Sequence, residues 1–445
     1  MSAARLTTTP DLREVSTQLG VFPFRILHWW LNLPVLTFLI ALAAMLFRPP
    51  DLKSLPIDRI AFLAMIVLVC LRLLLRCDTL RTYSATWPLL ALLFLGLLSA
   101  FTQPYDPQVW SVFVAKYAVP FVCFHIAGMV FRDEVSRRRL EYFLLTALIY
   151  LSVISIFSLL NASSLIVPRF ITDPGIGIHA DRARGPFLQA VANGVCLALL
   201  GLLALDSFRR RHLNRAVGVF LFFAVPVALL ATKTRAVWLA AVLAVLLLLW
   251  FGSALRVRRV ALALCIAAAV LGGTLRIYQT QTDSLAERLL DRSPVDFRTE
   301  MYSAGWQMFT EKPLLGWGTE WDIQPEVEKR VSSFRPEYYV FHNTFLELAV
   351  ERGLLGVGLY AWLMMCLLRL HNSNPDLREA DGPFAGPYFR TLWPLLLLVY
   401  LINASAVVMN YQFVNALIFT IAGILAANSK GVAIAETFSP GGVAA

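Results

Sequence analysis

The sequence predicts an all-α protein that crosses a membrane many times. Its 445 residues are 58% hydrophobic and only 15% charged, which is too apolar for a soluble globular domain. Apolar segments recur along the chain, and about 20 apolar residues suffice for a helix to cross a bilayer. Clusters of Lys and Arg follow alternate segments, as the positive-inside rule expects for a chain that passes back and forth through a membrane.

Twelve apolar segments form the predicted membrane helices. Their approximate limits are 27–47, 60–76, 83–101, 109–131, 140–160, 186–206, 214–231, 235–252, 259–275, 353–370, 390–409 and 411–427. If the N-terminus is cytoplasmic, the dense basic clusters at 132–139, 208–215 and 256–259 all lie inside, whereas the connection at 102–108, which has no Lys or Arg, lies outside. The sequence therefore predicts about twelve spans with both termini in the cytoplasm.

Hydropathy divides the chain into five parts. We expect cytoplasmic tails at 1–26 and 428–445, and nine membrane helices within 27–275. One large periplasmic loop, 276–342, follows, and residues 343–427 hold a periplasmic helix and three further membrane helices. The membrane anchors largely explain the formal charge of +10, so we expect membrane lipids as partners and no nucleic acid.

The loop at 276–342 is expected to fold. It is rich in Trp, Tyr and Phe and has more acidic than basic residues, whereas disordered linkers lack aromatic residues. Aromatic faces with scattered carboxylates suit sugar binding. Aromatic residues also collect at membrane interfaces, and that alternative explains part of the pattern.

A helix is predicted within this loop by "SPVDFRTEMYSAGWQMFTEKP". Ser293 is a suitable N-cap, Pro294 fits the first helical position, and Asp296 completes a capping box. One apolar stripe at helical spacing is formed by Phe297, Met301, Ala304 and Met308. Lys312 and Pro313 are expected to end the helix.

His342 lies just before the next predicted helix. Thr344 and Glu347 match a capping box, so the helix should begin immediately after the histidine. The positive character of a helix N-terminus favours neutral imidazole, the form that a general base needs, and also attracts phosphate. The alternative is a histidine that is hydrogen-bonded at a membrane interface.

Several cationic residues recur on the predicted outer side, close to the membrane. Arg182 and Arg184 precede the sixth segment, and Lys233 and Arg235 lie in the very short connection between the seventh and eighth. A charge held at the membrane is costly and indicates function, and arginine binds diphosphate through forked hydrogen bonds. Together with Arg298 they predict a site for a lipid-linked diphosphate, although arginines also extend to lipid headgroups.

Weaker candidates for binding the acceptor or its sugars lie around these cations. They are Tyr302, Trp306, Tyr338 and Asn343. We expect no metal and no cofactor, because the sequence has no DxD, HExxH or His/Cys cluster at ligand spacing. Glu347 and Glu351 share one helix face, but a single pair without further ligands is weak evidence for a metal.

Four motifs together resemble the bacterial O-antigen ligase and polymerase superfamily, and most closely O-antigen ligase. They are "RARGPF" with the following Asn193, "TKTRAVW", "FRTEMYSAGWQMFTEKPLLGWG" and "FHNTFLELAVERGLLG". In that family two outer-side arginines and a loop histidine are essential, and the matching positions are Arg235, Arg298 and His342. Thr232 and Thr234 stand where family members often have serine near the first arginine.

The resemblance implies a GT-C-like, metal-independent glycosyltransferase of the Gram-negative inner membrane with its active site facing the periplasm. The donor would be a glycan on undecaprenyl diphosphate, and the acceptor of first choice is the lipid A–core oligosaccharide, which completes lipopolysaccharide. A second lipid-linked glycan, as in an O-antigen or exopolysaccharide polymerase, is the next choice. A protein, as in an O-oligosaccharyltransferase, is the third.

Two alternatives rest on other features of the sequence. The number of predicted spans fits a transporter of lipid-linked oligosaccharides, although charges within the spans are few. A carboxylate base in the first outer loop would use Asp51 or Asp58, but these do not form a paired motif.

Overall fold

The computed structural model describes most of the chain, and all its regular structure is helical in the described ranges. These ranges are 21–47, 56–75, 78–251, 293–318, 320–332, 341–370 and 382–437. The predicted ninth segment, 259–275, and the candidate residue Tyr338 lie outside the described residues.

The helices of the first part of the chain are α1 (Val21–Leu46), α2 (Ile57–Leu74), α3 (Thr86–Phe101), α4 (Pro107–Phe113), α5 (Val119–Val130), α6 (Glu134–Leu159), α7 (Ala190–Arg209), α8 (Arg215–Ala231) and α9 (Arg235–Phe251). A π-helical segment, Val114–Ala118, joins α4 to α5. The later helices are α10 (Ser293–Glu311), α11 (Glu320–Glu328), α12 (Thr344–Arg369), α13 (Gly386–Ala404) and α14 (Gln412–Thr437). Every predicted apolar segment within the described residues coincides with a helix.

Four helical stretches are long and apolar enough to cross a membrane. They are Pro107–Val130, α6, α7 and α12. Several other apolar helices are shorter, and the 17 residues of α8 or α9 span only about 25 Å, less than the roughly 30 Å of a bilayer core. The chain is therefore a polytopic membrane protein, and the number of twelve spans stays a prediction.

Large apolar side chains cover the outside of the bundle. Leu63, Leu239 and Trp250 expose 60%, 64% and 78% of their surface. Soluble monomers rarely expose so many neighbouring apolar groups, so these faces are suited to contact with lipid.

The core of the bundle is formed by close packing of α5 against α14 and of α9 against α13. Gly423 allows the first contact, since a Cβ at this position would lie 2.9 Å from the backbone carbon of Phe124. The buried indole of Trp393 donates a hydrogen bond to the Leu367 carbonyl, 2.8 Å away, and so ties α13 to α12. These contacts fix the helices that carry the candidate site.

The described part of the long hydrophilic loop has a hydrophobic core of its own. Met301, Ala304 and Met308 are buried in it, and Phe297 packs against them, which confirms the predicted apolar stripe of α10. Residues in or next to α11 and the first part of α12 complete this core: Ile323, Val327, Val331, Phe341 and Val350. The helix ends at Glu311, directly before Lys312 and Pro313, as predicted.

Candidate active site

Connections that are far apart in the sequence meet at one end of the bundle. The Ala183 amide donates to the Ala231 carbonyl at 3.0 Å, which joins the α6–α7 connection to the end of α8. The hydroxyl of Thr344, at the start of α12, donates to the Val407 carbonyl at 2.8 Å and so joins the α13–α14 connection. The rings of Phe187 and Phe413, whose centres are 5.9 Å apart, bring the α6–α7 connection next to the start of α14, so these predicted outer-side connections share one end of the molecule.

A tight turn between α8 and α9 carries two of the predicted cations. The Thr232 hydroxyl donates to the Leu229 carbonyl, and the Thr234 hydroxyl donates to the Thr232 carbonyl, which organises the turn. Lys233 has a left-handed backbone with φ 51°. Arg235 is the first residue of α9 and is exposed. A cation at a helix N-terminus does not stabilise the helix, so an anion is the natural partner of Arg235.

Arg184 differs from the other predicted cations because it is buried, with 2% exposure. Its guanidinium donates to the carbonyls of Ile171, Asp173 and Ile176. These bonds hold the connection between α6 and α7 in shape and turn the guanidinium inward. Arg184 thus organises the loop that carries Arg182, and the sequence offered no signal for this burial.

His342 lies in a half-buried environment beside α10. Its ring centre is 6.4 Å from that of Phe297, and its backbone carbonyl accepts a hydrogen bond from the Tyr302 hydroxyl at 3.2 Å. Burial lowers the pKa of His342 from 6.5 to about 4, and the charges of Arg298 and His179 act in the same direction. The imidazole is therefore neutral near pH 7, as a general base must be.

The predicted capping box after His342 is wrong, although the helix does begin where expected. The N-cap of α12 is Asn343, whose side-chain oxygen accepts from the amides of Phe345 and Leu346 at 2.9 and 3.2 Å. Thr344 instead bonds to Val407, and the Glu347 carboxylate pairs with Lys116. The oxygen of Asn343, a predicted sugar ligand, is thus engaged in capping.

His179 is a neighbour of the candidate site that sequence reasoning missed. It stands in "HADRARGPF", the motif that supplied Arg182 and Arg184, and its charge acts on His342. The His179 carbonyl accepts a hydrogen bond from the Arg182 amide at 3.1 Å. Ala183, which follows Arg182, donates a backbone hydrogen bond to the end of α8. This loop therefore connects the surroundings of His342 to the turn that carries Lys233 and Arg235.

The turn 313–318 docks onto a break in α12 through several backbone contacts. Gly353 interrupts the helix with φ 60° and ψ −157°, a conformation restricted to glycine. The Trp317 amide donates to the Val350 carbonyl at 2.8 Å, and the Leu354 amide donates to the Pro313 carbonyl at 2.7 Å. A Cβ on Gly316 would lie 2.5 Å from the Val350 carbonyl oxygen. The glycines of "LLGWG" and "ERGLLG" thus allow α10 to be held against α12.

The remaining candidates occupy varied places. Trp306 is 61% exposed on α10, and its ring is tilted by 44° against that of Phe309, with 5.5 Å between ring centres. Of the two carboxylates considered as an alternative base, Asp58 is buried at the start of α2, and Asp51 lies outside the described residues.

Part of the chain matches a known protein family. Residues 218–361 match the Wzy_C family model, whose description is O-antigen ligase. The matched region runs from α8 into α12 and includes Lys233, Arg235, Arg298 and His342. Comparison with curated proteins gives no significant match for the chain.

Proposed function

Residues 218–361 carry a domain of the O-antigen ligase and polymerase superfamily, and from this premise we propose that the protein is an O-antigen ligase. It would transfer a glycan from undecaprenyl diphosphate to the lipid A–core oligosaccharide. The observation that carries the proposal is His342, held neutral beside Arg298 and linked through the His179 loop to the cations near Arg235.

The residues support an inverting transfer in one step. His342 takes the proton from an acceptor sugar hydroxyl, and the oxygen forms a bond to the anomeric carbon of the donor. The bond from that carbon to the diphosphate oxygen breaks, and undecaprenyl diphosphate leaves with the electron pair. Arg235 and Arg298 stabilise the negative charge that develops on the diphosphate, the kind of term that is usually the largest in catalysis.

Lys233 and Arg182 are proposed to bind the same diphosphate from the two loops that meet at Ala183 and Ala231. Arg184 is proposed to support this site indirectly, because its guanidinium donates to carbonyls of its own loop and so holds the loop in shape. Tyr302 holds the backbone of His342. Trp306, with its exposed indole, is proposed to stack on a sugar ring. The transfer uses no metal and no cofactor in this proposal.

The apolar outside of the bundle supports a donor that stays dissolved in the bilayer. The proposed location is the inner membrane of a Gram-negative bacterium, with the site end in the periplasm and both termini in the cytoplasm. A second lipid-linked glycan as acceptor would make the protein a polymerase with the same site.

The test uses purified full-length protein, undecaprenyl-diphosphate-linked glycan and lipid A–core, with a chelator and without ATP. We expect glycan on the lipid A–core and a loss of roughly 10²–10⁴-fold in turnover for His342→Ala, the usual range for a general base. Lengthened lipid-linked glycan would identify a polymerase. A metal requirement would overturn the metal-independent step. No product from folded wild-type protein would reject both activities and favour a transporter.

A further inference from the structure

A buried ion-pair network lies inside the helix bundle and involves none of the cations of the candidate site. The Lys116 ammonium bonds to the Glu347 carboxylate and lies 3.4 Å from both oxygens of Glu351. The three side chains are only 8%, 14% and 16% exposed. Ionised groups within a membrane bundle are costly, and they are kept where they serve a function.

The network joins two unusual pieces of backbone. Lys116 lies in the π-helical segment between α4 and α5, and such segments are frequent at functional sites. Glu347 and Glu351 lie one turn apart on the first part of α12, before the break at Gly353. This short piece of helix begins at Thr344, and its N-cap Asn343 directly follows His342.

Further hydrogen bonds hold the same piece of helix to the bundle. The Thr344 hydroxyl donates to the Val407 carbonyl at 2.8 Å and accepts from the Met409 amide at 2.9 Å. The Asn415 side chain donates to the carbonyls of Met409 and Ala115, at 3.0 and 2.8 Å. The π-helical segment, the α13–α14 connection and the start of α12 are thus connected through polar contacts.

The break at Gly353 explains why such contacts are needed. The first part of α12 is not held in line by the rest of the helix, so its direction depends on its side-chain contacts and on the docked turn 313–318. Among the described residues, Lys116 is the cation that pairs with Glu347. A displacement here moves the backbone of His342.

We infer that Lys116, through Glu347 and Glu351, is a positioning residue that sets the place of His342 relative to the transferred sugar. The inference rests on the proposed function, because it assigns the network to the geometry of the general base. A misplacement of about 1 Å caused by a change far from the reacting atoms can lower a rate about 10²-fold. We therefore expect loss of the network to lower the rate by more than the loss of stability explains.

The test measures kcat, the KM for the lipid-linked donor and the melting temperature of full-length variants. We expect Lys116→Met to lower kcat by about 10- to 100-fold while the KM for the donor changes by less than about two-fold. Glu347→Gln should have the same effect in smaller measure. Lys116→Arg keeps the charge and should restore most of the lost kcat.

Arg210→Met is the matched control. Arg210 pairs with Glu141 and with Asp206, the latter at 2.9 Å, and all three are buried, but they join α6 to the far end of α7. The control should lower the melting temperature and leave kcat unchanged for the protein that remains folded.

Folded Lys116→Met and Glu347→Gln proteins with wild-type kcat would overturn the inference. It would also be overturned if the loss of kcat were related to the loss of melting temperature in the same way for these variants as for Arg210→Met. If Lys116→Met does not fold, Glu351→Gln, which removes only the 3.4 Å contacts, decides in the same way. Failure of the proposed function is seen separately, as an inactive wild type or an active His342→Ala.

Discussion

Arginines at the two ends of the helix bundle differ in their ion pairing. At one end Arg210 lies between Glu141 and Asp206, and all three groups are buried. At the other end Arg235 and Arg298 have no ion pair among the described residues. The two ends are about 30 Å apart, the length of the 20-residue helix α7.

This difference separates two uses of arginine. A buried guanidinium between carboxylates is neutralised by them and holds helices together, and removal of one partner leaves a charge unpaired in the interior. A guanidinium at the membrane surface that is not paired with a carboxylate has a positive charge that can bind an external anion. Sequence patterns alone treat the two kinds of arginine alike.

The largest expected effect is at the site end. Arg235→Ala should lower kcat/KM at least as much as His342→Ala, since developing charge on the diphosphate loses its partner, whereas removal of a general base costs roughly 10²–10⁴-fold. Transfer assays with the purified variants, each compared at equal folded protein, provide the measurement. A near-wild-type rate for Arg235→Ala would remove the functional contrast between the two ends.

An intermediate effect is expected from the break in α12, which separates the site end of this helix from its membrane part. Gly353→Ala forces a left-handed backbone on alanine and places a Cβ 2.6 Å from the Pro313 carbonyl oxygen. Such strain costs about 1–3 kcal/mol, and the turn 313–318 must move. The melting temperature, measured by thermal unfolding, and the turnover should both decrease.

Gly358→Ala is the control for that substitution. Gly358 lies in the same helix, and a Cβ there would meet no atom within 4 Å. It should be neutral, because alanine favours helix more than glycine does. Equal effects of the two substitutions would show that the docked turn is not important.

The smallest expected effect concerns pH. Burial and the charges of Arg298 and His179 hold the pKa of His342 at about 4, below the ordinary 6.5, and in the proposed mechanism the neutral form acts as the base. The kcat/KM, which reports the free enzyme, should therefore stay constant from pH 8 down to about pH 5 and should decrease at lower pH.

Arg298→Gln removes one positive charge beside the imidazole, so protonation becomes easier and the acid limb should move towards pH 6.5. The movement is partial because burial, the largest cause, remains. The acid limb is measured on the residual activity of the variant. An unchanged or lower limb would show that the two side chains do not interact.

Local patterns predicted much of the fold. The apolar stripe of α10 follows from residues three and four apart; Met301, Ala304 and Met308 are buried as expected, and Phe297 packs against them. The start of α12 after His342 was predicted correctly for a partly wrong reason, because Asn343 and not Thr344 is the cap. Cap identity depends on one rotamer, which the sequence leaves open.

The sequence by itself determined the helices, their apolar faces and the region that carries His342, Arg235 and Arg298, because these depend on hydropathy and short-range spacing. Only the tertiary structure decided which charges are neutralised. Glu347 pairs with Lys116 from a distant helix, Arg184 is turned inward by the carbonyls of its own loop, and His179 comes close to His342. The partner of a charge depends on residues brought together by packing, and their spacing along the chain carries no information about it.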